Sequence, residues 1–217
     1  MPSVSASDEV AGLWLATLQR ALGRASHDVR DALNGVSVNL EVIRSRAAKP
    51  GAPAATVAAF AESSAQQLDR LTSLLEAVLA LGRAERQPAD VAVVLRRVAV
   101  VCGASSSSAD AEILVELGDT DAAATSVHGD AVRLALTAPL LELATGSDRR
   151  APPTPVRCVL SVEDGATIVT IAAAGRRAAM PAVVAGALRA SGVRWTEGGQ
   201  GTQETGTIDL SLVFPRA

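Results

Sequence analysis

The residue best suited to chemistry in this sequence is a single histidine. His27 is followed by Asp28, Val29 and Arg30 within the stretch ASHDVRDALNGVSVNL, residues 25–40. A neutral imidazole nitrogen is nucleophilic near neutral pH, because the unperturbed pKa of histidine is about 6.5. Such a nitrogen can attack an acyl phosphate and carry the phosphoryl group until another carboxylate takes it, which is covalent catalysis divided between proteins.

Three charged neighbours are placed to assist such a transfer. Asp28 can hold the imidazole N–H and stabilise the cation that forms during attack. Arg24 and Arg30 lie three residues before and after His27, hence on the same side of a helix, where they can neutralise phosphoryl charge. The alternative for both arginines is surface ion pairing with Asp28 and Asp31, which contributes little.

The remaining histidine and the two cysteines indicate no further chemistry. His128 lies in VHGD ahead of a predicted helix, where a loop histidine beside a capping Asp130 is the ordinary explanation. Neither histidine has a second one at helical spacing, so no metal site is predicted. Cys102 and Cys158 are isolated and are expected to be reduced structural thiols.

Charge and hydropathy exclude several classes of partner. The net charge of the 217 residues is −3, which creates no general field for nucleic acid or an anionic membrane. The N-terminal residues MPSVSASDEV lack the basic and apolar regions of a signal peptide. The most apolar run, VAVVLRRVAVVCGA, is interrupted by Arg96 and Arg97 and is shorter than a membrane span. We therefore expect a cytoplasmic protein with no nucleic-acid or membrane partner.

Two amphipathic helices are predicted in the first part of the chain. Apolar residues recur at steps of three and four, which predicts one helix from about Asp8 to Ala47 and another that ends near Gly82 to Pro88. The segment KPGAPAAT, residues 49–56, separates them. The positions in the two stripes are Leu22, Ala25, Val29, Leu33, Val36, Leu40 and Ile43, then Val57, Ala61, Ser64, Leu68, Leu71, Leu75 and Val78.

A helical hairpin by itself covers only part of such stripes. Two copies of the hairpin would cover the remainder by forming a homodimeric four-helix bundle. The alternative is that the stripes pack on the C-terminal half of the same chain. The length and narrowness of the heptad pattern favour the dimer.

The second part of the chain predicts short elements in the order α-β-β-α-β-β-α-β-β. A helix opens at Gly129-Asp130 and should be kinked or shortened by Pro139. Asp164-Gly165 predicts a β-hairpin, and TEGGQGTQETG a loop between the last two strands. The predicted fold class is α+β, with an antiparallel helical hairpin at residues 8–87 and an α/β sandwich at residues 90–217.

This layout resembles the bacterial sensor histidine kinases, in which a dimerisation and histidine-phosphotransfer hairpin precedes an ATP-binding domain of the GHKL type. The residues from His27 to Arg30 are similar to the H-box of that family, and Leu33 stands where the box carries leucine. Ala32 replaces a common proline. Asp31 stands where a threonine or asparagine usually positions water, so the resemblance does not imply phosphatase activity.

The same resemblance indicates a degenerate ATP-binding domain. Pro139 and Leu143 occupy the positions of two asparagines of the N-box, and neither supplies the oxygen ligand that Mg²⁺ prefers. Ala173 stands at the position of the adenine-reading aspartate, and Arg177 at that of a glycine. Few residues separate Gly175 from the next predicted helix, which leaves no room for an ATP lid.

Stand-alone histidine phosphotransferases of the alphaproteobacterial type are the most similar class. The resemblance implies a phosphorelay enzyme without ATP-dependent kinase activity, which passes a phosphoryl group between receiver aspartates through His27. The implied partners are response-regulator receiver domains and a hybrid histidine kinase. The receiver would supply Mg²⁺, and the chain itself would hold no cofactor. Docking is expected around His27 and near Gln66, Gln67 and Arg70.

Two alternatives remain open at the level of sequence. One is a non-catalytic dimeric docking or scaffold module, which is a pseudo-histidine kinase that never carries phosphate. The other is a divergent ATP-dependent histidine kinase with an unconventional nucleotide site.

Overall fold

Two long helices open the structure, a computed structural model that describes residues 5–49, 54–83, 88–104, 113–118, 123–145, 155–198 and 209–217. They are α1 (Ala6–Ala47) and α2 (Ala54–Leu81). Ser5 caps α1 by accepting a hydrogen bond from the Asp8 amide at 3.2 Å. Acidic residues in the first turn and basic residues in the last turn complement the dipole of this helix.

The second half of α1 pairs with α2 as an antiparallel hairpin. The Asn39 amide donates to the Ser63 hydroxyl at 3.2 Å, and the Arg46 guanidinium lies 5.7 Å from the centre of the Phe60 ring. Gly35 leaves room for the side chain of Gln67, because a Cβ atom at Gly35 would come within 2.7 Å of the Gln67 amide. These contacts of polar side chains between the two helices therefore help to fix the register of the hairpin.

The first half of α1 packs against the C-terminal part of the chain instead of against α2. This part of α1 contacts the helices of the α/β layer, which is the sheet and helices that follow α2 in the chain. Its buried residues are Val10, Trp14, Leu18 and Ala21. Arg20 also pairs with Glu142 in that layer, with 2.7 Å between nitrogen and oxygen. The first half of α1 therefore packs on the C-terminal half of the chain, which was the alternative to dimerisation. This segment begins before Leu22, the first residue of the stripe that the sequence predicted.

A mixed five-stranded sheet forms the C-terminal layer. The elements after α2 are β1 (Ala89–Asp90), α3 (Val91–Gly103), β2 (Ile113–Leu117), β3 (Ala124–Thr125), α4 (Gly129–Thr145), β4 (Val156–Glu163), β5 (Ala166–Ala173), α5 (Ala182–Ala190), β6 (Arg194–Glu197) and β7 (Leu210–Pro215). The strand order is β2-β4-β5-β7-β6, in which only β2 and β4 run parallel, and β1 pairs with β3 separately. Alternate residues of β4, β5 and β7 are buried with α3 and α4 in one apolar cluster that extends into α1 and α2.

The predicted α+β class is confirmed, with a helical hairpin followed by a helix-covered sheet. The predicted turn is present, since Asp164 and Gly165 adopt φ angles of 46° and 74° between β4 and β5. The division at residues 8–87 and 90–217 stays a prediction. The expected turn at residues 50–53, most of the linker after α2 and the glycine-rich loop at residues 199–208 lie outside the described residues.

The helix α4 runs through Pro139 to Thr145, so the proline does not shorten it. The N-terminus of this helix differs from the sequence prediction. Asp130 does not cap it; the ring nitrogen Nδ1 of His128 accepts from the Asp130 amide at 3.3 Å, and the Asp130 carboxylate instead pairs with Arg133 at 2.9 Å. The histidine just before the helix therefore performs the capping, and the aspartate binds a cation one turn further on.

Within the described ranges, no helix combines the length and the apolar character needed to cross a bilayer.

Candidate functional site

His27 lies in the middle of α1 with an exposed side chain. Val29 and Val36 lie on the covered side of this helix. Because each residue advances the helix by about 100°, His27 points away from that side. No hydrogen bond or salt bridge to the described residues engages the ring of this exposed side chain.

Asp28 is coupled to His27 electrostatically rather than by a hydrogen bond. Partial burial raises the pKa of the Asp28 carboxyl, the Asp31 carboxylate raises this pKa further, and His27 acts in the opposite direction. No hydrogen bond joins Asp28 to the imidazole in this structure, as expected for consecutive helix residues, which do not face each other. The expected role of Asp28 in orienting the ring therefore stays a prediction.

Arg24 and Arg30 have exposed side chains on either side of His27. Among the described residues, no ion pair joins either guanidinium to Asp28 or Asp31. The surface pairs that would have accounted for these arginines are therefore absent, and both cations remain available to an anion that approaches His27.

One of the three α2 residues of the predicted docking surface is not exposed. The side chains of Gln66 and Arg70 are exposed, and Gln66 donates to Glu62 at 3.1 Å. Gln67, in contrast, lies against Gly35 between the two helices, where its Oε1 atom is buried without a hydrogen-bond partner. Gln67 is therefore part of the hairpin interior rather than of a docking face.

A second candidate site is an open groove beside the last turns of α4. Its volume is about 460 Å³, and its lining residues are Pro139, Glu142, Leu143, Arg176, Arg177, Ala179, Met180 and Pro181. The resemblance to the histidine kinases assigns four residues to nucleotide-binding positions. Three of them, Pro139, Leu143 and Arg177, line this groove. The fourth, Ala173, is buried at the end of β5.

Two polar members of this groove, Glu142 and Arg176, were not identified from the sequence, and Arg177 was noted only because it replaces a glycine. Arg176 reaches a main-chain carbonyl of α4, while Arg177 pairs with Glu197 at 2.8 Å. Glu142 pairs with Arg20 of α1. These contacts join residues far apart in the chain, and the only local signal was the consecutive pair of arginines after Gly175.

The cysteines behave as the sequence predicted. Cys102 and Cys158 are free and buried, and burial raises the pKa of each thiol to about 12. Both therefore stay protonated and unreactive at neutral pH. In the described part of the chain, no three His, Cys, Asp or Glu side chains cluster in a way that would hold a metal ion.

Comparison with known proteins gives a similarity of arrangement only. No protein-family model and no curated protein matches the chain. Among solved structures, a blue-light-activated histidine kinase of Erythrobacter litoralis has a TM-score of 0.46 at 13% identity, covering 88% of this chain and 59% of the kinase. The histidine kinase domain from that same kinase gives a TM-score of 0.47 at 15% identity over 91% and 94% of the two chains.

A bacterial phosphotransferase also overlaps, with a TM-score of 0.42 at 14% identity over 97% of this chain and 98% of its own. This chain spans 59% of the length of the first of these kinases. Because each TM-score is below 0.5, the function of this chain has to be argued from its own residues.

Proposed function

We propose that this chain is a two-component phosphotransfer protein in which His27 accepts a phosphoryl group from one receiver aspartate and passes it to another. The observation that carries the proposal is the environment of His27. Its ring is exposed in mid-helix and bonds to none of the described residues, and the two arginines that flank it on the same helix form no ion pair with those residues either. A side chain that stabilises the fold would instead be buried or bonded.

The reaction at His27 is a reversible substitution at phosphorus. A neutral imidazole nitrogen of His27 attacks the acyl phosphate, an N–P bond forms, and the P–O bond to the receiver carboxylate breaks. The receiver aspartate leaves as a carboxylate, and the imidazole becomes a cation that Asp28 stabilises electrostatically. Attack by a second receiver carboxylate reverses these changes. Mg²⁺ bound by the receiver would neutralise phosphoryl charge, and Arg24 and Arg30 would add to that effect.

A homodimer is part of the proposal. Leucines that are 48% to 58% exposed recur on both helices of the hairpin, and they are Leu33 and Leu40 on α1 and Leu68, Leu75 and Leu79 on α2. Spacings of seven place Leu33 with Leu40 and Leu68 with Leu75 on single helix faces. A second hairpin packed on these faces would complete a four-helix bundle. Leu33 lies about 120° around α1 from His27, so this association leaves the ring accessible.

The proposal includes the absence of ATP-dependent kinase activity. Pro139 and Leu143 present only apolar side chains to the groove beside α4, whereas a hard cation with a nucleotide needs oxygen ligands. Calorimetry with ATP and Mg²⁺ tests this point directly. Saturable binding would favour the divergent kinase.

Phosphoryl transfer to His27 can be measured with receiver domains labelled by radioactive acetyl phosphate. We expect an acid-labile, alkali-stable label on the intact chain and none on the His27→Gln variant. The His128→Gln variant is the matched control and should be labelled normally. Equal labelling of the His27→Gln variant, or an unlabelled intact chain with every receiver tested, would contradict the proposal.

The scaffold alternative makes the opposite prediction for the same residue. A pseudo-histidine kinase would retain its function after His27→Ala but lose it after Leu71→Asp, which disrupts the hairpin interior. A phosphotransferase loses function in both variants, so the pair of substitutions separates the two classes.

A further inference from the structure

The groove beside the last turns of α4 has walls that are already held in place. One wall is α4 itself, and the other is the segment from Arg176 to Pro181. Glu197 of β6 fixes this segment by accepting from Arg177 at 2.8 Å and from the Met180 amide at 3.2 Å. Gly175, which precedes this segment, adopts a φ of 67°, a conformation that favours glycine. The volume of the groove, about 460 Å³, is in the range of small-molecule sites.

Among the described residues, the charges around the groove leave one cation in excess. Glu142 is neutralised by Arg20 at 2.7 Å, and Glu197 is neutralised by Arg177. Arg176, in contrast, donates only to the carbonyl of Leu143, and no carboxylate among the described residues pairs with it. Partial burial also lowers the pKa of Arg176, which reflects a guanidinium that has lost part of its hydration. Its remaining N–H groups can hold an anion.

Apart from Arg176, the lining is apolar except for the charged side chains of Glu142 and Arg177. Pro139, Leu143, Ala179, Met180 and Pro181 line the groove beside Arg176, and Leu143 and Met180 are largely buried. Apolar walls with a few placed polar groups are the usual composition of a small-molecule site. A ligand that fits this surface has one anionic head and a short aliphatic body.

We propose that the groove lined by Arg176, Met180 and Leu143 binds a small amphipathic anion, a carboxylate or a phosphate monoester with a short aliphatic chain. This inference is independent of the chemistry proposed at His27. The anionic head contacts the free N–H groups of Arg176, and the aliphatic chain covers Met180, Leu143 and Pro139. Carboxylate and phosphate share this recognition, so the head group is identified by experiment.

The test is a calorimetric titration of the full chain with hexanoate and with hexyl phosphate, compared with hexylamine, acetate and inorganic phosphate. We expect saturable binding of at least one of the first two, with a Kd on the order of 1 mM. Hexylamine should not bind, and the anions without a chain should bind at least about tenfold more weakly. The ratio of the two affinities identifies the preferred head group.

Three variants complete the test. Arg176→Met should weaken binding by about tenfold or more, because it removes the charge while keeping the length of the side chain. Arg176 also holds the end of α4, so Ala179→Trp provides a second variant that fills the groove without changing any charge. Ala182→Trp, at an exposed position outside the lining, is the matched control and should bind like the original chain.

Equal binding of hexylamine would overturn the proposal. Unchanged affinity in the Ala179→Trp variant, or no saturation of either anion below about 20 mM, would overturn it as well.

Discussion

The Arg133 guanidinium lies 5.9 Å from the centre of the Trp14 ring, and this contact joins α1 to α4 across most of the length of the chain. Arg133 is only 3% exposed. It also donates to Asp130 at 2.9 Å and to the main-chain carbonyl of Arg83, just after α2, at 2.7 Å. One buried cation therefore connects both helices of the hairpin to the α/β layer.

Arg133→Met should destabilise the chain by about 3 kcal/mol, because it leaves Asp130 and the Arg83 carbonyl without their donor. For a chain of this size the loss corresponds to a decrease in Tm of roughly 6–12 °C. Chemical denaturation followed by circular dichroism measures it. Arg194→Met, at an exposed position of β6, is the matched control and should change stability by less than about 0.5 kcal/mol. Equal effects of the two substitutions would show that the contacts of Arg133 contribute nothing specific.

Two glycines of α1 should respond differently to alanine. A Cβ at Gly23 would meet no atom within 4 Å, so Gly23→Ala should gain the full helix-propensity difference of about 1 kcal/mol. A Cβ at Gly35 would lie 2.7 Å from the Gln67 amide, which would have to move. Gly35→Ala should therefore gain less than Gly23→Ala or lose stability. Thermal unfolding of both variants gives the comparison, and a larger gain at Gly35 would be inconsistent with the packed hairpin.

The exposed leucines predict the oligomeric state. Leu75→Asp should convert the dimer to a monomer, because a carboxylate in the bundle interior would be desolvated without a partner. Analytical ultracentrifugation at several concentrations measures the change. Val183→Asp, at a 70% exposed position of α5, is the control and should leave the association unchanged. A chain that is monomeric before any substitution would exclude the four-helix bundle.

The stability of the chain should depend on the charge of Asp28. Its pKa is raised in the folded state, so the folded chain binds this proton more tightly than the unfolded chain does. The ionised carboxylate therefore destabilises the fold above the raised pKa. This penalty disappears as the pH falls through that pKa toward the unfolded value of about 3.9.

Asp28→Asn should therefore stabilise the chain at pH 7, by less than about 1 kcal/mol because solvent screens the partly exposed group. The difference between the two chains should vanish near pH 4. Unfolding free energies measured from pH 4 to pH 7 test the sign. A less stable Asp28→Asn variant at pH 7 would mean that the carboxylate makes a favourable contact instead.

Periodicity and turn chemistry predicted the elements of this fold because both signals are local. The hairpin turn at Asp164-Gly165 follows from two residues that tolerate positive φ, and α1 follows from the spacing of its apolar residues. Periodicity does not identify the element that covers a stripe. Val10, Trp14 and Leu18 have the same spacing as the residues beside α2, yet they pack on the α/β layer.

The same difference between local signals and long-range contacts applies to the candidate sites. His27 and its charged neighbours were recognisable because they are adjacent in sequence. The groove beside α4 was not, because Arg176 meets Leu143 from 33 residues away and Arg177 meets Glu197 from 20 residues away. Such contacts depend on strand order and helix placement, which no local pattern specifies. That Arg24 and Arg30 form no ion pair with the described residues likewise depends on side-chain geometry.

The bond between Arg20 and Glu142 spans 122 residues, and this separation has a consequence for synthesis on the ribosome. At roughly 5–20 residues per second, the surface that covers the first half of α1 is made about 6–24 s after α1 itself. During that interval Val10, Trp14 and Leu18 have no folded surface to bury them. The nascent chain therefore presents this apolar segment before its covering surface exists, and a chaperone that binds such segments would engage it during that interval.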